Sequence, residues 1–464
     1  ITDVNGDSIA SVTTTGLVKG TESLDVKATA RHPNPKTADR LTSVADGSST
    51  VKDADTGVGV AAAITIVDAD ARAFVSGNAR LQAPAIRIES GMSTGDRFGG
   101  QATSGATGKD TGVAGSLVVN VSILRSEATV ESGATVTVIG SGSFLLRAVG
   151  AGTQIGKALP HEPASGSDYG VGAAVVVNIF DAITRAEIED TAAVTGAGAV
   201  VVDAQAASTV DGQAKAGAKG GIAIAPSIVV NVVNENTLAR IGTGATLSAA
   251  SVEISAARNG STSAKAEGDA SGTGDAAVGA AIGVNVTNDR TEALLDRTVA
   301  VTGLVALRAD GRQSTRATTK AGAKGGKKDD GQKGTKDDDG VNKQMDAVRG
   351  LADTVAGDKG ARDTSSSTAT PKAEVANTDT KGSSESETVS VAGAVSVNVS
   401  LSRARAAAAN GLSLDAGGTI TVHSQSDFSV EGSADGSSVS KTGDAVGAAV
   451  VVNYGEGDNT ATIG

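Results

Sequence analysis

The feature that most constrains this chain is a motif that returns about every 55 residues. Its clearest copy is Gly172–Ala186: small residues, a β-branched run, an Asn, and an Ala eight positions after that Asn. The Asn–Ala pairs are Asn120/Ala128, Asn178/Ala186, Asn231/Ala239, Asn285/Ala293, Asn398/Ala406 and Asn453/Ala461. An earlier copy has Thr65/Ala73. Successive spacings of the leading residue are 55, 58, 53, 54, 113 and 55. A period held this well means that each copy packs on its neighbours rather than folding alone.

What the copies contain decides the class. β-branched residues and period-two alternation favour strands over helices. Three strand-like pieces are legible in each copy: the β-branched run (Ser116–Val121), a short alternating piece (Arg185–Ile188), and a piece after a Gly-rich turn (Val200–Ala204, Ser251–Ser255, Thr419–Val422). A polar Ala/Gly/Ser/Thr tract then reads as the connection to the next copy. With 61 Gly, 5 Phe, 2 Tyr and no Trp, the core is expected to be thin and lined by Ala and Val. The expected fold is all-β: an elongated parallel β-helix, or β-solenoid, with two or three turns of the solenoid per repeat. Stacked at strand spacing, those turns give a rod of roughly 70–100 Å.

Four regions follow. Residues 1–55 form a degenerate opening repeat, in which Leu24–Ala30 alternates like a strand before His32-Pro-Asn-Pro35 interrupts it. Residues 56–323 are solenoid repeats. Residues 324–388 are a flexible, charged insertion, which accounts for the doubled spacing. Within it Val341, Met345, Val348, Leu351 and Val355 mark one face of a short amphipathic helix. Residues 389–464 resume the repeats at full strength, so the insertion is expected to leave the register intact.

The net charge of −12 argues against nucleic-acid binding by counterion release. There is no Cys, which suits bacterial export, and no window is apolar enough to span a membrane. The chain starts Ile1-Thr-Asp-Val without a basic leader and stops inside a copy, so it reads as part of a longer protein.

Asn120, Asn178, Asn231, Asn285, Asn398 and Asn453 share one repeat position. Stacked, their amides form a structural ladder along the body, as in cross-β stacks. Three of them head sequons, at Asn120-Val-Ser122, Asn285-Val-Thr287 and Asn398-Val-Ser400, but they sit in strand centres where no glycan fits. Asp3-Val-Asn-Gly-Asp7 starts like a calcium loop, yet Ser8 and Thr14 stand where such a loop needs Gly and an acid. Asp53/Asp55 and Asp68/Asp70 read as turn chemistry. No cofactor is expected, calcium being the one metal left open. His32, His161 and His423 lie far apart in repeat phase and offer no metal spacing. Glu187 and Glu189 read as solvated alternation. No catalytic constellation is present, so no enzymatic activity is expected.

The runs Val171–Ile179, Val278–Val286 and Val391–Val399, each with its downstream Ala, resemble the repeats of very large bacterial surface proteins: filamentous, leukotoxin-type adhesins and haemagglutinin-like autotransporter passengers. The resemblance covers roughly residues 56–464. It implies an exported β-helical rod at the bacterial cell surface with structural or adhesive duty. The implied partners are further copies, another surface protein, or a ligand on a host or neighbouring cell. A self-assembling filament or surface-layer subunit is the alternative. A polysaccharide-degrading β-helix enzyme is a poorer fit, because seven aromatics leave few platforms for sugars.

The β-branched run is apolar on both faces. In Val171–Ile179 one side takes Val171, Ala173, Val175, Val177 and Ile179, and the other Gly172, Ala174, Val176 and Asn178. Stacked copies therefore make an apolar stripe larger than a monomer usually exposes. The repeat's own polar tract folded over it, the inserted helix at Val341–Val355, or another copy of the chain is expected to cover it; a protein partner, foremost a second rod, is the favoured reading. Val176 and Val451 are the stripe's candidate outward members.

Overall fold

The computed structural model describes residues 1–31, 43–51, 53–93, 95, 97–325, 388–440 and 443–464. Among the described residues there is no helix; the chain is all-β, and its strand pairings are parallel. The expected helix at Val341–Val355 and the break at His32–Pro35 lie outside the described residues.

Eight strands stack through the repeat position: Thr2–Val12, Thr56–Val75, Thr111–Val130, Tyr169–Ile188, the second halves of Ala199–Ile241 and Ser251–Leu295, then Thr388–Ala408 and Gly443–Ile463. Asn178 sits directly between Asn120 and Asn231. The chain thus returns to the same ladder once per repeat, not two or three times. Eight strands at about 4.8 Å make a stack of about 34 Å, shorter than the expected rod, while one 20-residue strand reaches about 65 Å. The register passes from Asn285 to Asn398 without a shift, although the chain runs through residues 326–387 in between.

A second stack faces the first. Its members are Ser23–Ala30 with Ser43–Thr50, Arg80–Met92 with Arg97–Thr107, Thr135–Pro160, the first halves of Ala199–Ile241 and Ser251–Leu295, Val305–Gly325 and Ile420–Val439. We refer to the two as the asparagine wall and the polar wall. The polar wall is made largely of the tract expected to be a mere connection. Within it Val210, Gly212, Ala214, Ala216 and Ala218 face in, while Thr209, Asp211, Gln213, Lys215 and Lys219 face out. This is strand alternation, faint in sequence because Ala carries its apolar half. The chain bends between the walls near Gly220, where the register shifts by two residues, from Gly220 opposite Gly272 to Ile222 opposite Ala276.

The interior changes along the strands. Nearest that bend it is almost all Ala, with Val118, Val176 and Val229. Farther along come Leu124, Phe180, Val210 and Val233. At the far end Phe144, Leu146, Ile188, Ile241, Leu247, Ile254, Leu295 and Leu307 fill a wider core. There a small third sheet, Leu247–Ala249, Val299–Val301 and Leu414–Ala416, bridges the walls.

Packing between the walls is matched in size. A Cβ on Gly156 would lie 2.5 Å from Val176 Cγ1, one on Gly212 2.4 Å from Val229 Cγ1, and one on Gly432 2.5 Å from Val451 Cγ1. In the repeats between, the partners exchange sizes: Gly283 faces Ala264, and Ser396 faces Ala317. Such complementarity holds two sheets at one close separation throughout.

Candidate functional site: an asparagine ladder and a sealed charge cluster

The inward side chains of the asparagine wall carry the ladder. Asn120 Nδ2 donates to Asn178 Oδ1 at 2.8 Å, Asn178 to Asn231 at 2.7 Å, and Asn231 to Asn285, Asn285 to Asn398 and Asn398 to Asn453 at 2.8 Å each. The second proton of each amide crosses to a carbonyl of the polar wall: Ile155 (3.2 Å), Asp211 (3.3 Å), Ser263 (2.7 Å), Arg316 (2.8 Å) and Glu431 (2.9 Å). The first five Asn are wholly buried. Every step runs the same way, so the ladder ends on an unanswered oxygen: Asn120 Oδ1 has no hydrogen-bond partner, and neither has Thr65 Oγ1 next to it. The small residues opposite, Gly156 and Gly212, leave room for the amides; a Cβ on either would lie 2.8 Å from an Asn Oδ1.

Four residues along the asparagine-wall strands lies a cluster that no repeat pattern announces. Glu235 and Asp289 are neighbours on adjacent strands, and Arg258 reaches them from the polar wall. All three side chains are at most 2% exposed. Arg258 Nε donates to Glu235 Oε2 at 2.5 Å, and Nη2 donates to the same oxygen and to Gln313 Oε1 at 2.7 Å. Nη1 donates to the Arg312 carbonyl at 3.3 Å. Arg258 Nη2 also lies 2.8 Å from Asp289 Oδ1, but its N–H bonds aim at Glu235 and Gln313, so neither Asp289 oxygen receives a well-directed bond. Burial pushes the Asp289 carboxyl up to about 7; Arg258 opposes this and Glu235 reinforces it. The guanidinium fits because its column is otherwise small, running Gly150, Ala206, Arg258, Gly311, Ser426. With two carboxylates sharing one cation in a dry interior, the cluster holds a proton at moderate pH. In sequence its signal was a lone Arg in a column of small residues, with acids four positions after Asn231 and Asn285.

A second buried guanidinium stitches turns. Arg297 donates to the carbonyls of Gly242 (2.5 Å), Ala192 (2.8 Å), Glu189 and Thr243 (both 3.2 Å), tying its own turn to those of the two preceding repeats.

Other residues singled out in the sequence fall as follows. Val176 faces inward and is 0% exposed. Val451 holds the same register, and only its place in the last strand of the stack leaves it 44% exposed. Neither belongs to an outward stripe; the outward members are the other parity, Val175, Val177 and Ile179. Both faces of the run are apolar, so sequence alone does not fix the parity, whereas inward Asn178 does. Asn120, Asn285 and Asn398 are sealed, out of reach of glycosylation. Glu187 is not solvated: Arg185 and Arg240 hold it at 3.1 and 2.6 Å. Asp68 and Asp70 share Arg125 at 3.6 and 3.2 Å. His161 and His423 do not meet; His423 Nε2 lies 3.4 Å from Asp310 Oδ1. His32 lies outside the described residues. No group of three or more His, Cys, Asp or Glu placed to hold a metal occurs among the described residues. No helix among them is long and apolar enough to cross a membrane.

Comparison with protein-family models, with curated proteins and with solved structures finds no match to this chain.

Proposed function

We propose that this chain is a β-solenoid segment with structural or adhesive duty in a secreted or cell-surface bacterial protein, and that it catalyses no reaction. The observation that carries the reading is the ladder from Asn120 to Asn453, in which each of the five buried amides from Asn120 to Asn398 is bonded to the next and to the opposite wall. Such an interior resists bending and dissociation. The cross-strand carboxylates Glu235 and Asp289 are sealed from solvent and held by Arg258. That suits a structural joint better than an acid–base pair, which must reach its substrate.

Protease treatment of intact cells of the source bacterium tests the location. Loss of the chain from undamaged cells supports the reading, and loss only after lysis overturns it. Incubation of the purified chain with a polysaccharide panel tests the absence of catalysis; sustained release of shortened products would sink it.

A further inference from the structure

The two walls turn different faces to water. Outside the polar wall stand Gln205, Thr209, Asp211, Gln213 and Lys215, with Asp, Glu, Lys and Arg in nearby copies. Outside the asparagine wall, the five columns headed by Val171, Ala173, Val175, Val177 and Ile179 contain no charged side chain in any of seven stacked strands. The column through Val177, for instance, runs Ile64, Val119, Val177, Val230, Val284, Val397 and Val452. Val60 is 66% exposed, and Leu117 and Ile179 are 39% exposed.

We propose that this face is the seat of a second copy of the same chain, packed asparagine wall to asparagine wall. Three observations point to a copy rather than to a different protein. The face measures about 29 Å across the strands by about 26 Å along them, or about 750 Å²; a standard stable interface buries about 800 Å² per partner. It is regular, with rows of mostly β-branched residues at strand spacing. The surface that best fits such rows is an identical set, interleaved at the usual sheet-to-sheet distance of about 10 Å. Over those seven strands it is free of charge, with Asp3 of the eighth strand at its edge beside Ile66, and beyond Ile179 the middle strands carry Asp181, Asn234 and Asn288, polar rim positions of the kind a desolvated interface centre needs. This pairing goes beyond the structural reading above, and a chain that stays single leaves that reading standing.

The test is the mass of the full chain in solution by sedimentation or light scattering. The wild type is expected to be a dimer at about 10 µM and above. Val177→Lys with Val230→Lys, side by side in the centre of the face, is expected to weaken the dimer by at least about 100-fold with melting unchanged. Val177→Thr with Val230→Thr keeps the β-branched shape and serves if the lysines disturb folding; it is expected to weaken the dimer by about 10-fold. Gln213→Lys, on the polar wall, is expected to leave the dimer intact. A wild type that is monomeric at about 100 µM overturns the proposal, as does a lysine pair that dimerises like wild type. Val395, Val397 and Val399 of the same face are only 5–8% exposed, and the rival occupant put to the test is the chain's own segment 326–387. If Met345→Asp with Leu351→Asp turns a monomeric chain into a dimer, the face belongs to that segment and the proposal fails.

Discussion

The asparagine wall and the polar wall are built from the same repeat, with the same parallel pairing, yet they divide the work differently. The asparagine wall keeps polar side chains inside, as the ladder, and apolar ones outside. Beside the ladder the polar wall does the reverse: Gly and Ala inside, charges and amides outside. Each inner face is intelligible only from the other. The amides need a wall of small residues and free carbonyls opposite them, and the Ala-lined wall needs something larger to close against. A buried polar group is tolerable when its bonds are made, and here the partner wall supplies the second bond of the five buried amides from Asn120 to Asn398.

The largest break in this reciprocity is expected at Arg258, where the polar wall for once sends a large charged side chain inward. Arg258→Met leaves Glu235 and Asp289 without their cation and is expected to cost about 3–5 kcal/mol at alkaline pH, measured by denaturant unfolding. Next comes the ladder itself. Asn231→Ala removes the acceptor of Asn178 and the donor to Asn285 and Ser263, all buried, and is expected to cost about 2–4 kcal/mol in the same assay. The size exchange between walls gives a smaller and more pointed effect. Gly212→Ala presses on Val229 and is expected to cost about 1–3 kcal/mol, much of it recovered by adding Val229→Ala. If the double variant is no better than the sum of the single ones, the complementarity has been misjudged.

Asp289 supplies a pH signature. Its folded value of about 7 lies above its ordinary 3.8, so the folded state holds the proton more tightly than the unfolded chain does. The stabilisation is complete below about pH 4 and is lost as pH rises through about 7. Thermal melting of Asp289→Asn should therefore lack this slope and exceed wild type above neutrality; an unchanged slope would remove Asp289 as its source. The smallest effect sharpens the comparison rather than breaking it. Thr65→Asn is expected to extend the ladder by one step, donating to the unanswered Asn120 Oδ1, with a gain of about 1 kcal/mol.

Much of this could be read from the sequence, unevenly. The position, spacing and stacking of the Asn residues were plain, because an amide set among β-branched residues at a fixed phase is conspicuous. The number of strand passes per repeat was not, since solenoid turns of many lengths share the same alternation. The polar wall passed for a connection because Ala marks an inward position only weakly. Parity in Val171–Ile179 was hidden by two apolar faces, which sent Val176 to the wrong side. Arg258 left no periodic trace: periodicity reveals what every repeat does, and this residue does something that only one repeat does.

The unbroken register from Asn285 to Asn398 has a consequence for how such a chain can change over generations. Each Asn answers to one neighbour before it and one after it, so a whole repeat can be duplicated or lost and the two flanking amides will still meet. A segment of any length can also enter at a bend, as residues 326–387 do. A gain or loss of a single residue within a strand, by contrast, turns every later side chain in that strand to the opposite face, sending an amide into water and a valine column into its place. Length in this architecture is free to vary in whole units and is closed to fractions of one.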